Sequence, residues 1–500
     1  MKPKDKINSI LIANRGEIAI RIAQTAKKMG IESVGIRTQK EPNAHYLTQM
    51  DRILDFPERE KNDIPEFLDI ESLVLLAKRN KIDAIHPGYG YLSENAQFAI
   101  RCTEEGVIFI GPSPRVIQNM GDKVIAKEIA AKGKVPMLGG SKGCVDTLDE
   151  ALEIAKQIGY PLIIKACAGG GGRGMRIVRK QSEMKQMYFS AASEAQSAFN
   201  NPEVFIEKYL ENPRHIEVQI VADSYGNVIH LGERECSVQR KHQKLLEEAP
   251  SPALDEALRK RMTDAAISLA KEAGYVSLGT VEFLLDKDKN FYFMEMNTRV
   301  QVEHPVTEMI TGLDLIELQI RVANGEKLPI TQNDVKLNGW AIECRINAED
   351  VQSDFSPYLG VIKALKMPKG EGVRIDSGVT VGSEITPHFD SMIAKLIVHA
   401  KDRKTVIENT LHALDDFQVK GLKTTIPFDK AVLHNEVFRK GDFDTSFIEK
   451  DMDSMVYREK DEELLAALFA VSHFEKQNKA QDCRKEDLDL WALRNRINNM

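Results

Sequence analysis

One short stretch combines residue types and spacing that point to chemistry: Phe293-Met-Glu-Met-Asn-Thr-Arg-Val-Gln-Val-Glu-His-Pro305. Glu295, Asn297, Arg299, Gln301 and Glu303 fall at every second position, with Met294, Met296, Val300 and Val302 in the gaps. In an extended chain successive side chains point to opposite faces. One face is then apolar. The other shows two carboxylates, two amides and a guanidinium, groups that hold metal ions and oxyanions. Pro305 and the bulky polar groups allow the end of the stretch to become a loop. Upstream, Thr280–Asp286 and Phe291–Met296 flank the turn-like Lys287-Asp-Lys-Asn290, which predicts an antiparallel hairpin. Closing it with Asp286 opposite Phe291 sets Glu282 against Glu295. Facing like charges destabilise a sheet. A divalent cation between them reverses that sign, and Asn297 adds an oxygen. Hard oxygen donors suit Mg²⁺ or Mn²⁺, and Mg²⁺ on few protein ligands normally arrives with phosphates. On this stretch alone, a surface hairpin paired to distant lysines is an equal reading.

A second group lies upstream. Leu162–Ala166 reads as a buried strand containing Lys165, followed by Ala168-Gly-Gly-Gly-Gly-Arg-Gly174 and a strand from Met175 to Val178. So many glycines are costly unless backbone must approach something closely or move. Between two strands they predict a flap whose N–H groups, those of Gly171 and Gly172 among them, close over phosphates. No Gly-Lys-Ser/Thr ends the run, so it is not a Walker A loop. The lysine before it and the arginine inside it favour phosphate over a plain linker. Val204–Leu210 reads as a strand leading into Glu207. Arg214–Ile220 and Val228–Glu233 predict another hairpin. The cationic run Glu235–Lys244 is by default a solvated loop; beside a metal and phosphate site it becomes a credible anion pocket. His215 and His242 lack metal-ligand spacing and read as hydrogen-bonding groups.

These groups need elements to position them. Strands Ser9–Ala13, Ser33–Ile36, Ile53–Asp55, Ala84–His86 and Val107–Ile110 alternate with helices Ile18–Met29, Ile70–Arg79 and Ala96–Glu105. That alternation predicts a doubly wound parallel sheet. Asn14-Arg-Gly-Glu17 and His86–Asn95 occupy two of its strand-to-helix turns, and the glycines and proline of the second are explained by the turn itself. Thr147-Leu-Asp-Glu150 is a capping box opening a helix that ends near Gly159. Val306–Val322 reads as one amphipathic helix, and Trp340–Ala348 as a strand with Glu343 and Arg345 on one face. A helix at Arg403–Phe417 belongs to an α+β unit, and Glu462–Phe474 reads as a helix with an apolar stripe.

Composition bounds the rest. Five hundred residues, 42% hydrophobic and 29% charged, predict a globular chain of about three domains. A net charge of −7 argues against nucleic acid or a membrane surface as partner. Cys102, Cys144, Cys167, Cys236, Cys344 and Cys483 include no close pair, so neither zinc nor a disulfide framework follows, and a reducing, cytoplasmic setting is expected. No signal-like or membrane-spanning apolar run follows the basic start.

The segments Ala13–Ala19, His86–Asn95, Met120–Lys123, Gly169–Met175, Glu207–His215, Gln239–Lys244, Glu295–Pro305 and Glu343–Asp350 together resemble the biotin carboxylases, in order and spacing, from about Ile7 to about Ile448. The resemblance implies an α/β and α+β multidomain fold. Its parts are a Rossmann-like domain (1–119), an ATP-grasp domain (120–325) with a mobile glycine-rich lid (about 137–210), a C-terminal α+β domain (326–448), and a helical, charged tail (449–500) of unassigned role. It implies that Lys123, Lys165, Gly171, Gly172, Glu207, Lys208, Tyr209, Leu210, His215 and His242 hold ATP, together with Glu282 and Glu295. It implies that Glu282, Glu295 and Asn297 hold Mg²⁺ or Mn²⁺, two ions in all. Lys244, Arg299, Gln301 and Val302 would bind bicarbonate, Glu303 would be its general base, and Arg345 would face the biotin ureido oxygen.

Two departures stand out. Thr38–Asp51 is unlike the family's segment, and the tail exceeds that of compact subunits. Leu365-Lys-Met-Pro368 lacks the first methionine of a biotinylation motif, and no carboxyltransferase region follows. Biotin is therefore expected on a separate carrier protein, with separate carboxyltransferase subunits and a homodimeric enzyme. The rivals are another ATP-grasp ligase making an acyl phosphate from a different carboxylate or from bicarbonate for carbamoylation, a non-catalytic nucleotide-binding subunit, and a scaffold that works through its tail.

Overall fold

The computed structural model describes residues 6–57, 64–167, 175–452 and 467–473. Residues 1–454 form one compact unit and residues 455–500 a second. The first begins with strands β1 (Ser9–Ile12), β2 (Glu32–Arg37), β3 (Arg52–Asp55), β4 (Ala84–His86) and β5 (Ile108–Phe109). They form a parallel sheet in the order β3-β2-β1-β4-β5, as the alternation predicts. Asp69 and Asn95 cap two of its helices, accepting from the backbone N–H of Ser72 (2.9 Å) and Phe98 (3.0 Å). Strand order reverses between β1 and β4, where ligand crevices form in such sheets. There the two strand-to-helix turns are stitched together: Asn14 Nδ2 donates to the carbonyls of Pro87 (2.8 Å) and Tyr89 (2.7 Å). A Cβ on Gly88 would lie 2.7 Å from that nitrogen, so the turn admits only glycine.

A small antiparallel sheet follows, β7-β6-β8, from β6 (Leu162–Ala166), β7 (Arg176–Val178) and β8 (Val204–Lys208). Thr147 caps its first helix, Leu148–Ile158, by accepting from Glu150 N at 3.2 Å. The capping box is incomplete, because the Glu150 carboxylate accepts from Asp146 N (3.3 Å) rather than from Thr147. The expectation of no disulfide is corrected here: Cys144 and Cys167 are bonded, with Cα atoms 6.1 Å apart. Both flank the start of β8, since Val145 bridges to Val204 and Cys167 N donates to Glu203 O. Twenty-three residues of sequence hide a contact made across one strand. The glycine run, residues 168–174 with Gly171 and Gly172, lies outside the described residues.

The largest element is an antiparallel sheet of eight strands. These are β9 (Arg214–Ala222), β10 (Val228–Arg240), β11 (Gln243–Ala249), β12 (Ser277–Leu285), β13 (Phe291–Asn297), β14 (Trp340–Asn347), β15 (Val373–Ser377) and β16 (Met392–Ala400). Their order is β13-β12-β9-β10-β11-β14-β16-β15. The sheet therefore runs unbroken past residue 325 into the third region. Ile216, Val218, Ile220, Val281, Phe283 and Leu285 bury one face against the helix Glu256–Glu272. The cationic run expected as a loop is the tip of the β10–β11 hairpin, turned by Lys241 (φ 48°) and His242 (φ 65°). The single helix expected over Val306–Val322 is two, His304–Thr311 and Leu315–Ala323. Gly312 ends the first at φ 71°, and Asp314 caps the second by accepting from Glu317 N at 3.0 Å. Of the second unit, residues 467–473 are helical, with Leu468, Phe469 and Val471 exposed; the rest of the expected Glu462–Phe474 helix lies outside the described residues. No described helix is long and apolar enough to cross a membrane.

Candidate active site

The opening hairpin closes one residue away from its expected register. Leu285, not Asp286, faces Phe291, and this pairing runs to Phe283 opposite Phe293. A bulge at Met294 then restores Glu282 opposite Glu295. An inserted residue flips the parity of everything after it. Phe291 and Phe293 point into the core, and beyond the bulge Met296 does. Glu295 and Asn297 consequently join Glu282 on the other face. The strand ends at Asn297, the chain loops through Thr298–Val302, and Glu303 immediately precedes the helix that follows without its side chain capping it.

That face of the large sheet is polar along its length. Its centre is Lys244, whose ammonium donates to Glu217 (2.6 Å), Glu282 (2.9 Å) and Glu303 (2.6 Å). Burial works against the charge, but these carboxylates outweigh it and raise the Lys244 pKa well above the ordinary range. Glu282 also meets His215 Nε2 (2.9 Å), Asn297 Nδ2 (2.8 Å) and Gln301 Nε2 (2.8 Å). Burial favours its neutral form, yet Lys244 and His215 hold it well below the usual carboxylate range. Its neighbour behaves oppositely. Glu295 is exposed and its carboxylate accepts no hydrogen bond among the described residues; loss of surrounding water, then the charges of Glu282 and Glu94, raise its pKa. Gln301 Oε1 accepts from Arg234 (2.8 Å), which also donates to Glu217 and Gln219. Arg299 donates to Glu94 (3.1 Å) and to Asn297 Oδ1 (3.0 Å), and the Val302 carbonyl accepts from Lys395 (2.7 Å).

Glu303 is clasped from both sides, by Lys244 on one oxygen and by Arg345 Nη2 on the other (3.0 Å). Arg345 also donates through Nε to Glu247 at 2.7 Å. Burial would raise the Glu303 pKa, but Lys244, Arg345 and Arg234 bring it far below its ordinary value. The expected Glu343–Arg345 face is present; Arg345, however, pairs with Glu247 and Glu303 rather than with Glu343.

A second cationic group stands on the small sheet. Glu207 accepts from Lys165 (2.7 Å) and Lys127 (2.5 Å), and despite burial the two lysines lower it to about 2. Lys123, Lys127 and Lys165 surround the Phe205 ring at 5.8, 4.4 and 5.8 Å. Burial lowers the Lys123 pKa, while Glu295 on the large sheet and Glu207 on the small one pull it back. Lys208 is turned away from this group, donating to the Tyr160 carbonyl at 2.9 Å. The backbone of Lys208 and Tyr209 is tied to Gly139 and Pro161, one step before Leu210. His242 stands exposed on its hairpin turn, without a hydrogen bond among the described residues.

Sequence reasoning passed over Lys127, Glu217, Arg234, Glu247, Glu94 and Tyr89. Glu217 was within reach: His215, Glu217 and Gln219 alternate with Ile216, Val218 and Ile220, and Glu217 pairs directly across from Glu282. Glu94 and Tyr89 lie in the His86–Asn95 turn, and Glu94 grips both Thr298 N (3.0 Å) and Arg299.

Comparison with known proteins supplies the name for this arrangement. Residues 6–117 match the biotin carboxylase N-terminal domain, 122–331 the ATP-binding domain of carbamoyl-phosphate synthase L chain, and 343–450 the biotin carboxylase C-terminal domain. The chain belongs to the biotin carboxylase family. It is 52% identical to a biotin carboxylase of Nostoc over 445 residues, 89% of this chain and 99% of that one. It is 46% identical to the 2-oxoglutarate carboxylase small subunit of Hydrogenobacter thermophilus, over 92% of this chain and 98% of that one. The dimeric biotin carboxylase domain of that carboxylase, solved with MgADP, ADP and bicarbonate, superposes with a TM-score of 0.87 at 45% identity, covering 91% of this chain and 100% of that one. The Campylobacter jejuni biotin carboxylase complexed with β,γ-ATP gives 0.86 at 45% identity, covering 89% and 99%. As a biotin carboxylase the chain is an ADP-forming ligase of ATP-grasp architecture with an ATP-binding domain. Its residues fit Mg²⁺: Glu295 accepts no hydrogen bond among the described residues and faces the anionic Glu282, so two hard carboxylates stand opposed, with His215 beside them.

Proposed function

We propose that this chain carboxylates biotin carried on a separate biotin carboxyl carrier protein, using ATP and bicarbonate, as the first half of a multi-component carboxylase. The observation that carries this reading is the clasp on Glu303. Lys244 and Arg345 are the cations nearest the proposed base, and both hold it as a carboxylate too weakly basic to take a proton. When Lys244 turns to bicarbonate and Arg345 to the biotin ureido oxygen, Glu303 loses both partners and becomes a competent base. Substrate binding thus arms the residue that must deprotonate bicarbonate.

Arg299, Gln301 and the Val302 backbone hold the anion in line beside it. Lys123, Lys165, His215, His242, the Glu207–Leu210 segment and the glycine run hold ATP, with Lys127 added to the three-lysine group on Phe205. Glu282, Glu295 and Asn297 would hold Mg²⁺, two ions with the nucleotide present, which would supply charge neutralisation on the transferring phosphoryl group. Bicarbonate attacks the γ-phosphorus to give carboxyphosphate, which the closed site shields from water. Its breakdown releases CO₂ and phosphate beside the ureido nitrogen, and that phosphate takes the nitrogen's proton. Arg345 stabilises the enolate-like ureido oxygen while that nitrogen captures CO₂.

The boundaries 1–119, 120–325, 326–448 and 449–500 are the domain division we adopt, and a homodimer with separate carboxyltransferase subunits is the assembly. We place the activity in the cytoplasm. The Cys144–Cys167 disulfide is the feature that opposes this, and thiol titration of freshly lysed cells decides it. The activity is tested with labelled bicarbonate, ATP and free biotin. Labelled carboxybiotin is expected, with ATP turnover that needs bicarbonate and rises with biotin. Glu303→Gln should stop the bicarbonate-dependent step while nucleotide affinity persists. Label in carbamoyl phosphate or another acyl phosphate product, and none in biotin, would reject the reading.

A further inference from the structure

Behind Arg345 the sheet places a carboxyl that the reaction above does not use. Glu343 on β14 pairs directly across from Glu247 on β11, so both side chains leave the same face. Both residues are fully buried. Among the described residues neither oxygen of Glu343 has a hydrogen-bond partner, nor does Oε2 of Glu247. The neighbouring cations are already committed. Arg345 is held by Glu247 and Glu303, while Lys395 is held by Glu17 (3.0 Å) and the Val302 carbonyl. Lys244 also acts on Glu247 but is held by Glu217, Glu282 and Glu303. The remaining groups facing the pair add negative charge or none: Glu303 ahead of the His304 helix, Tyr89 from the turn after β4, and Asp429, which faces Glu247. Glu17 and Asp376 stand behind Lys395.

An ionised carboxylate with no partner cannot be kept in such a place cheaply. One proton between two facing carboxyls removes the problem, because an O–H on Glu343 directed at Glu247 Oε2 gives a partner to an orphan atom on each residue. We propose that Glu343 is carried as the neutral acid and shares its proton with Glu247, and that this pair positions Arg345. Resting on the biotin carboxylase reading, the proposal makes Glu343 a positioning residue. With one negative charge behind it, Arg345 stays poised between Glu247 and Glu303, where the ureido oxygen can reach it. With two, the guanidinium is drawn back into the sheet and biotin loses its contact. Burial and then the Glu247 and Glu303 charges favour the neutral form, against the opposing pull of Lys395 and Arg345.

Infrared difference spectroscopy on the full-length protein at neutral pH, wild type against Glu343→Gln, tests the protonation directly. A carboxylic-acid C=O band present only in the wild type is expected; its absence overturns the proposal. Kinetics test the positioning. Glu343→Leu removes the donor and should raise the KM for biotin about tenfold while moving the KM for ATP less than about twofold. Ionisation of Glu343 should make the wild type's kcat/KM for biotin fall at alkaline pH; Glu343→Gln keeps a donor aimed at Glu247 and should recover most of the leucine variant's loss without such a fall. A glutamine variant as impaired as the leucine variant, or one with an unchanged alkaline limb, overturns the assignment. If the wild type does not carboxylate biotin, the functional reading fails, and the infrared band still decides whether the proton is there.

Discussion

Arg345 joins the carboxylates of Glu247 and Glu303, and its removal should separate binding from chemistry. Arg345→Ala leaves the three-lysine group and the Glu282–Glu295 pair untouched. Nucleotide affinity should stay within about twofold, while biotin carboxylation falls about 10²–10³-fold, the range for losing one preorganised oxyanion donor. Equal loss of both in titration calorimetry and single-turnover assays would refute the separation. Glu207 makes a prediction about acid stability. Its pKa falls from 4.5 to about 2 in the folded state, worth about 3 kcal/mol at 1.36 kcal/mol per unit. A carboxyl depressed on folding stabilises above its unfolded pKa and ceases to do so as pH falls through the folded value. The urea-unfolding difference between wild type and Glu207→Gln should be constant above about pH 5 and shrink steadily toward pH 3. A difference independent of pH would place the role of Glu207 in packing instead. At this scale the sequence displayed the acids and bases but not their partners. Lys127 is four residues from Lys123 on one helix, and only the fold brings it to Glu207.

Alternation carried most of the reading of elements. Period two set Glu282, Glu295 and Asn297 on one face, and strand–helix alternation gave the parallel sheet. What it missed were single residues that break a period. The bulge at Met294 shifts the closing register by one and restores the acidic pairing, and nothing in an apolar methionine announces it. Gly312 and Asp314 are the usual signals for ending and restarting a helix, but the apolar stripe on either side masks them. Close approach between elements is equally silent. Gly378, just after β15, lies so near the start of the Gly16–Lys28 helix that a Cβ would sit 2.7 Å from Glu17 N and Gly16 Cα. Both neighbours are backbone and cannot rotate aside. Gly378→Ala should therefore destabilise by about 1–3 kcal/mol through overpacking. The urea midpoint reads this, and a midpoint within error of wild type would show that the helix start yields.

The whole first unit is bound together by charge as well as by the long sheet. Arg21 from the N-terminal helix donates to Glu308 (2.7 Å) and Asp314 (2.7 Å) in the central region. Arg374 from β15 donates to the same Glu308 (2.7 Å) and to Asp376 (2.7 Å), and Lys395 from β16 reaches back to Glu17. Three stretches that match three separate family models thus share one buried network. Removing one partner of such a network leaves a buried charge unanswered and costs about 3–5 kcal/mol. Arg374→Met leaves Asp376 with Lys395, at 3.9 Å, and Glu308 with Arg21 as their remaining ion-pair cations among the described residues, so its cost should fall at the lower end of that range. Because the network and the unbroken sheet tie all three regions, the loss should lower one transition rather than split it. Calorimetry, and Trp340 fluorescence set beside far-ultraviolet circular dichroism, should show the variant melting earlier with the probes still coincident. Two resolved transitions in the wild type would mean that the regions unfold independently and that the shared network does not couple them.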